Sequence, residues 1–401
     1  MYLEAMAKIF PSPESFREQP SQVPLTWTCR DNPLQKIIDV DDLTEIFDGV
    51  IYQRDSVRMV TDGDSVNPAR YCAPSGVNTF TGAVLPRSVS RMLNEKASLV
   101  INHLERYWTP LRTYLRRLTY EVGSNIESVG FLTPPGSTGF RPHEDPVDVL
   151  VYQVSGRKHW KVYEPLVENP FLDEVIEDEK LAEYVAEREP FLEVTLGPGD
   201  CLWVPRGWVH AGTSDDAACS WHVSLVFGTS TFRWLAEEII GTLTKQDEVP
   251  YFRPSLPWGA AIDRDLMHTT VLSALNRMRD GLLDLNVGQV VKNAQTKLRA
   301  EMPGPRYPVA PAEIGPETYL ELIPESVMSF SHQHDGSLRL NLPHATVTLT
   351  NKLVDFFLPI FTGKELDRGW IPTDLVPRVT LSSSIKVARR MHQLGIAQVG
   401  K

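Results

Sequence analysis

The chain has 401 residues, of which 42% are hydrophobic and 23% charged, a globular composition that excludes disorder, collagen and coiled coil for its bulk. Forty basic residues against 51 acidic ones give a net charge of −11, which disfavours nucleic acid and favours basic partners. Cys29, Cys72, Cys201 and Cys219 form no Cys-x-x-Cys pair, so neither a disulfide framework nor a cysteine zinc site is expected. No apolar run approaches the roughly 18 residues of a membrane span, and MYLEAMAKIFPSPES lacks a signal-peptide core. The expectation is a soluble cytoplasmic protein of two or three domains, at roughly 100–200 residues each.

In chain order, the first 90 residues mix loops with short strand-like runs such as Gly49-Val50-Ile51-Tyr52. From Ser98 the pattern predicts helix. Thr109-Pro110 has the form of a helix start, and Leu111, Leu115 and Leu118 repeat at helical spacing. Between 126 and 230 the reading turns to strands: Asp148–Val154, His159–Tyr163, Phe191–Leu196, Cys201–Val204 and Trp221–Phe227, separated by Gly/Pro turns. Many short strands with such turns predict a sandwich or barrel. Residues 231–302 become helical, with one helix at Phe232–Leu243 and one or two within Asp263–Ala300. The prolines of 303–316 mark a linker. Residues 317–401 form a small α+β unit, with a hairpin turn at Asp335-Gly336 between Val327–Phe330 and Leu338–Leu342, and helices near Lys352–Phe361 and Ser384–Gln393.

His143-Glu144-Asp145 lies just before a strand. In extended chain, residues i and i+2 share a side, so His143 and Asp145 can reach one metal while Glu144 faces away. His210 follows the turn Pro205-Arg206-Gly207-Trp208. Two imidazoles and one carboxylate make the facial triad of non-haem Fe(II) oxygenases, which leaves three positions open. His-x-Asp alone is a common pair. The run Gly197-Pro198-Gly199-Asp200, a strand, Pro205-x-Gly207 and then His210 is the wording of a double-stranded β-helix closing on its last ligand.

Residues 98–227 resemble the JmjC-type 2-oxoglutarate oxygenases, in particular their ribosomal-oxygenase branch. The resemblance is carried by Phe131–Ser137, Gly139–Asp145, Gln153–Trp160 and Gly199–His210. It implies an α+β protein: a cupin-like catalytic domain over 1–230, a helical dimerisation region over 231–302 and a winged-helix-like domain over 317–401. It also implies Fe(II) at His143, Asp145 and His210, with 2-oxoglutarate and O2 as cosubstrates. The family's anchor for the distal carboxylate of 2-oxoglutarate falls on Lys158, and a buried dianion does need a fixed cation. Arg157 sits one residue off, on the opposite strand face. His222 and Ser224 should share a face of the last barrel strand, with cosubstrate contact or packing as their roles. His159 should face outward, and His332-Gln333-His334-Asp335 reads as a hairpin turn. The branch often has Asn-x-Tyr where this chain has Val129-Gly130-Phe131, which bears on the target residue and not on the iron.

The implied function is hydroxylation of a polypeptide side chain, an Arg or His of a ribosomal protein. The acidic stretch Glu168–Glu189 would attract such a basic polypeptide if it lies near the active-site mouth. A homodimer is expected, with no nucleic-acid or membrane partner. The alternatives are the same chemistry on a peptide natural product or amino acid, and a non-catalytic metal-binding cupin that recognises peptides. Histone demethylation has no support in a chromatin-reading module.

Overall fold

The computed structural model describes residues 3–49, 54–73, 82–174, 176–215, 217–245, 252–304, 312–323, 327, 329–342, 345–361 and 369–400. Two compact units divide the chain: Met1–Gly228 with Pro303–Lys401, and Thr229–Met302.

In the first unit the strands are β1 (Leu25–Thr28), β2 (Val57–Thr61), β3 (Asp64–Ser65), β4 (Ser98–Asn102), β5 (Ile126–Thr133), β6 (Asp148–Ser155), β7 (Lys158–Tyr163), β8 (Leu192–Leu196), β9 (Asp200–Val204), β10 (Val209–Ser214) and β11 (Ser220–Phe227). Helices α1 (Glu4–Ile9), α2 (Pro13–Glu18), α3 (Asp42–Gly49), α4 (Pro86–Asn94), α5 (Thr109–Val122) and α6 (Asp178–Ala186) accompany them. An eight-stranded sheet runs in the order β1-β9-β6-β11-β5-β4-β2-β3, and a three-stranded sheet in the order β10-β7-β8. All of these pairings are antiparallel. Isolated antiparallel bridges Thr138↔Thr213 and His143↔His210 bring the 138–143 segment alongside β10. Two sheets of this topology, wound about one interior, make a double-stranded β-helix.

The sequence pattern explains the central strands. β11 lies between β5 and β6, and Trp221, Val223 and Leu225 on it are fully buried. The near-continuous apolar run of β6 is the signature of a strand covered on both faces. Ser98–Asn102 is a strand and not the helix that the sequence suggests. Leu99, Val100 and Ile101 are all buried there, and pairing with β2 and β5 overrides any local helical reading. The helix begins at Thr109, with Trp108 as its N-cap, no side-chain cap and Pro110 in its first turn. Val50, Ile51 and Tyr52 lie outside the described residues, while Gly49 closes α3. Residues 305–311 of the expected linker lie outside them as well.

The remainder of this unit carries β12 (Leu320–Leu322), β13 (Ser329–His332), β14 (Leu338–Asn341), β15 (Thr346–Leu349), β16 (Gly369–Trp370) and β17 (Ala397–Val399). They form sheets β16-β12-β17 and β13-β14-β15. Phe357, Trp370, Leu375 and Ala388 sit in a core distinct from that of the barrel. In the second unit, α7 (Phe232–Leu243), α8 (Arg264–Leu283) and α9 (Val287–Ala300) each start on a side-chain cap, from Thr231, Asp263 and Asn286. In the first unit, α10 (Asn351–Phe361) and α11 (Leu381–Gln393) complete the helices of the described residues.

The turn between β6 and β7 depends on a glycine. Gly156 adopts φ +66°, and a Cβ there would fall 2.0 Å from the carbonyl oxygen of Cys219. Only glycine fits. Gly156→Ala should therefore destabilise the protein by about 2 kcal/mol or more, the left-handed penalty plus a backbone clash. A urea midpoint unchanged from wild type would contradict this packing.

Candidate active site

The site starts from a backbone pair. The amide of His143 donates to the carbonyl of His210 at 3.2 Å, and the amide of His210 donates back to His143 at 2.8 Å. Residues opposed in an antiparallel pair project to the same face, so the two imidazoles stand 4.3 Å apart between ring centroids. Asp145 follows two residues after His143, and its Oδ2 lies 3.6 Å from His210 Nε2. A tight turn holds Asp145 in place: Gly207 N–H donates to the Asp145 carbonyl at 2.8 Å, and Arg206 N–H donates to Asp148 Oδ1 at 3.0 Å. Gly207 itself has φ +82°, and a side chain there would strike Pro170 and the Val167 carbonyl.

The imidazole tautomers follow from their neighbours. His143 Nδ1 lies 2.9 Å from the Arg141 carbonyl, and His210 Nδ1 lies 3.0 Å from the Trp208 carbonyl. A carbonyl only accepts, so each Nδ1 carries the proton and each Nε2 presents a lone pair. Burial, and then the neighbouring His143, pull the His210 pKa down to about 4. His210 is thus neutral near pH 7, and its contact with Asp145 is not an ion pair. The ligating atoms of His143, Asp145 and His210 lie within 4.8 Å of one another, and no other group of three such residues comes as close among the described residues. Two imidazoles and a carboxylate are the donor chemistry of a 2-His-1-carboxylate iron site, so these residues fit a divalent metal. Glu144 does not line the cavity. Burial, then Asp145 and Glu174, raise its carboxyl pKa.

Lys158 opens β7 and is 2% exposed. Its Nζ lies 3.4 Å from Thr133 Oγ1, 5.1 Å from the Trp160 ring and 5.8 Å from the Phe131 ring. No carboxylate pairs with it among the described residues, and burial pulls its pKa down to about 7. Gly139 and Gly212 leave room for it: a Cβ at Gly212 would fall 2.7 Å from Lys158 Cε. Arg157, by contrast, lies on the surface 3.9 Å from Asp215. His159 also faces out, toward Glu193 and Thr195.

Both features share one cavity of about 360 Å³, lined by His143, Asp145 and His210 together with Lys158, His222 and Ser224. His222 stacks on Phe131, its cross-strand partner, at 4.6 Å and 5°, and burial drives its pKa well below the usual imidazole value. Trp160 Nε1 and His222 Nδ1 are buried without a hydrogen-bond partner among the described residues. Sequence reasoning did not single out Thr133, Trp160, Phe140 or Arg58 as site residues. The first three lie inside the motif runs and could have been drawn from them. Arg58, 5.0 Å over the Phe140 ring, arrives from β2 and carries no local signal.

Comparison with known proteins agrees with this geometry. The JmjC domain family matches residues 107–235. The bifunctional lysine-specific demethylase and histidyl-hydroxylase NO66 of Caenorhabditis elegans is 30% identical over 205 residues, 49% of this chain and 27% of that protein. Ribosomal oxygenase 1 of Danio rerio is 36% identical over 135 residues, 34% of this chain and 23% of that protein. The chain spans about a quarter of the length of these curated relatives. Among solved structures, E. coli ycfD superposes with a TM-score of 0.55 at 16% identity, covering 97% of this chain and 98% of that one. A structure of YcfD, a ribosomal oxygenase from Escherichia coli, in complex with cobalt and 2-oxoglutarate gives a TM-score of 0.53 at 17% identity, covering 98% and 99%. At that identity the likeness is one of fold.

A buried cation without an anion burdens the fold. The pKa of Lys158 is lowered in the folded state, so the burden is full below about pH 7 and fades as pH rises toward the ordinary lysine value. Without metal or cosubstrate, Lys158→Met should stabilise the protein by roughly 2–4 kcal/mol at pH 6.5, with the gain shrinking toward pH 10. Melting curves of both proteins across that range check it. A gain that grows with pH would overturn the electrostatic reading.

Proposed function

We propose that this chain, whose residues 107–235 form a JmjC domain, is an Fe(II)- and 2-oxoglutarate-dependent dioxygenase that hydroxylates an Arg or His side chain of a ribosomal protein. The observation that carries this reading is the buried Lys158, without a carboxylate partner among the described residues, in the same cavity as His143, Asp145 and His210. A metal site alone fits many chemistries. A metal site facing a fixed cation fits a cosubstrate that chelates through one end and is anionic at the other. The names of the relatives, histidyl-hydroxylase and ribosomal oxygenase, support the polypeptide target.

In this reading His143, Asp145 and His210 hold Fe(II) through both Nε2 atoms and the carboxylate. Bound there, Fe(II) supplies the activation of O2 against 2-oxoglutarate, which leaves as succinate and CO2 while one oxygen atom enters a substrate C–H bond. Lys158 binds the distal carboxylate, and Thr133 and Ser224 offer it hydroxyl donors. Trp160 Nε1 and the neutral His222 add further hydrogen-bonding capacity. Phe131, Val149 and Val151 wall the cavity and exclude water. Glu174 of the acidic stretch acts electrostatically on Glu144, the neighbour of Asp145, and acidic groups close to the metal site favour a basic polypeptide. No nucleic acid or membrane enters this reading, and none of the described helices is long and apolar enough to cross a membrane. The cytoplasm is the proposed compartment.

We further assign the helical unit to homodimerisation and residues 317–401 to a winged-helix-like domain. On α8 the side chains of Met267, Val271, Leu275 and Leu282 repeat along one stripe and are 38%, 48%, 54% and 47% exposed. Such a stripe marks an interaction face. Light scattering at tens of micromolar should report a dimer, and Leu275→Glu should shift it toward monomer. A wild-type monomer at that concentration defeats the assignment.

The catalytic reading predicts turnover of 2-oxoglutarate to succinate with Fe(II), and a +16 Da shift on a ribosomal protein that disappears in cells lacking this chain. His143→Ala, Asp145→Ala and His210→Ala should each abolish turnover with the fold intact by circular dichroism. In anaerobic titrations with Fe(II), Lys158→Ala should weaken 2-oxoglutarate binding by roughly 10²–10³-fold. Lys158→Arg should recover part of it, and Arg157→Ala should change little. A large loss in Arg157→Ala with none in Lys158→Ala, or full activity in Asp145→Ala, overturns the assignment.

A further inference from the structure

At the edge of the large sheet, two thiols lie side by side, unused by the proposed chemistry. Trp27 of β1 stands opposite Cys201 of β9, and Cys29 lies two residues beyond Trp27, with its amide bonded to the Gly199 carbonyl at 2.8 Å. Residues i and i+2 of extended chain share a face, so Cys29 and Cys201 are diagonal neighbours on the buried side. Their sulfurs are 3.4 Å apart. A disulfide needs about 2.05 Å, so the two sulfurs are in contact and about 1.4 Å short of bonding. The two sulfurs differ in access. Cys201 is fully buried, whereas Cys29 is 9% exposed and lines a cavity of about 680 Å³ with Lys8, Arg30 and Lys36. Asp31 lines the same cavity, and burial and Asp200 both oppose a thiolate at Cys29. The hydrogen bond with the Cys201 thiol lowers the Cys29 pKa, while burial raises that of Cys201.

We propose that Cys29 and Cys201 are a reversible oxidation site, at which a hydroperoxide closes the dithiol into a disulfide tying the edge strand β1 to β9. The Cys29 thiolate attacks the peroxide. An S–O bond forms, the O–O bond breaks, and the leaving oxyanion takes a proton to become water or an alcohol. The Cys201 sulfur then attacks the Cys29 sulfenic acid. An S–S bond forms, the S–O bond breaks, and water leaves with the Cys201 proton. Two electrons pass from the thiol pair to the peroxide, and a thiol reductant reverses the change. The bond would close a loop of more than 170 residues, from Cys29 to Cys201, the span over which a cross-link most restricts the unfolded chain.

The test uses the full chain carrying Cys72→Ser and Cys219→Ser, so that only this pair can react, treated with one to two equivalents of hydrogen peroxide. The intact mass should fall by 2 Da, unreduced digests should contain one peptide pair joining Cys29 to Cys201, and the melting temperature should rise by several degrees and return with dithiothreitol. In the same background, Cys201→Ala should stop at a trappable sulfenic acid on Cys29, and Cys29→Ser should not react at that dose. Two outcomes overturn the proposal: gains of 32 or 48 Da on Cys29 without the cross-link, or an unchanged pair under conditions that oxidise Cys219 in the wild-type chain. If Cys201→Ala does not fold, the cross-link and its reversal in the parent protein still decide the matter.

Discussion

The exchange of backbone hydrogen bonds between His143 and His210 is the constraint on which the site depends. It joins a segment without regular strand structure to the edge of the small sheet. It also fixes two imidazoles that are far apart in sequence on one face. Asp145 then follows by the period of extended chain. The supporting hydrogen bonds are all to main-chain groups: Arg141 and Trp208 carbonyls orient the rings, and the Gly207 amide holds the Asp145 peptide. Orientation by backbone leaves every ligand atom free, which is the purpose such outer contacts serve around metals.

Around this cluster the cavity has an unusual charge balance. Its walls are largely apolar, burial lowers the pKa of its His210 and His222 imidazoles, and its one deeply buried cation has no anionic partner among the described residues. The buried cation is costly on its own and is relieved by an anion that also binds a metal. Electrostatic strain of this kind, placed in a cleft beside metal-type ligands, separates a binding site from a merely polar interior.

The barrel's other specialised feature lies where β1 joins the large sheet. Neither Cys29 nor Cys201 is among the residues that line the metal cavity. The link between the two regions is covalent continuity: β9 runs from Asp200 to Val204, directly into the turn that secures Asp145 and Asp148. One strand therefore carries both the buried thiol and the approach to the last ligand.

Much of this was legible in one dimension. Alternating or continuous apolar runs gave away β6, β7, β9 and β11, because a strand buried on both faces needs unbroken hydrophobic side chains. The opposite facing of Lys158 and Arg157 followed from the two-residue period alone, as did the shared face of His222 and Ser224. What local pattern could not supply was anything decided by pairing partners. Ser98–Asn102 is a strand because β2 and β5 flank it, a fact about distant residues. Arg58 reaches Phe140 because the sheet order places β2 beside β4. The approach of Cys29 to Cys201 needs the register of β1 on β9. The sequence by itself determined the ligand types and the side each faces. Tertiary structure alone decided which side chains meet, because antiparallel register is set by long-range packing that no local window contains.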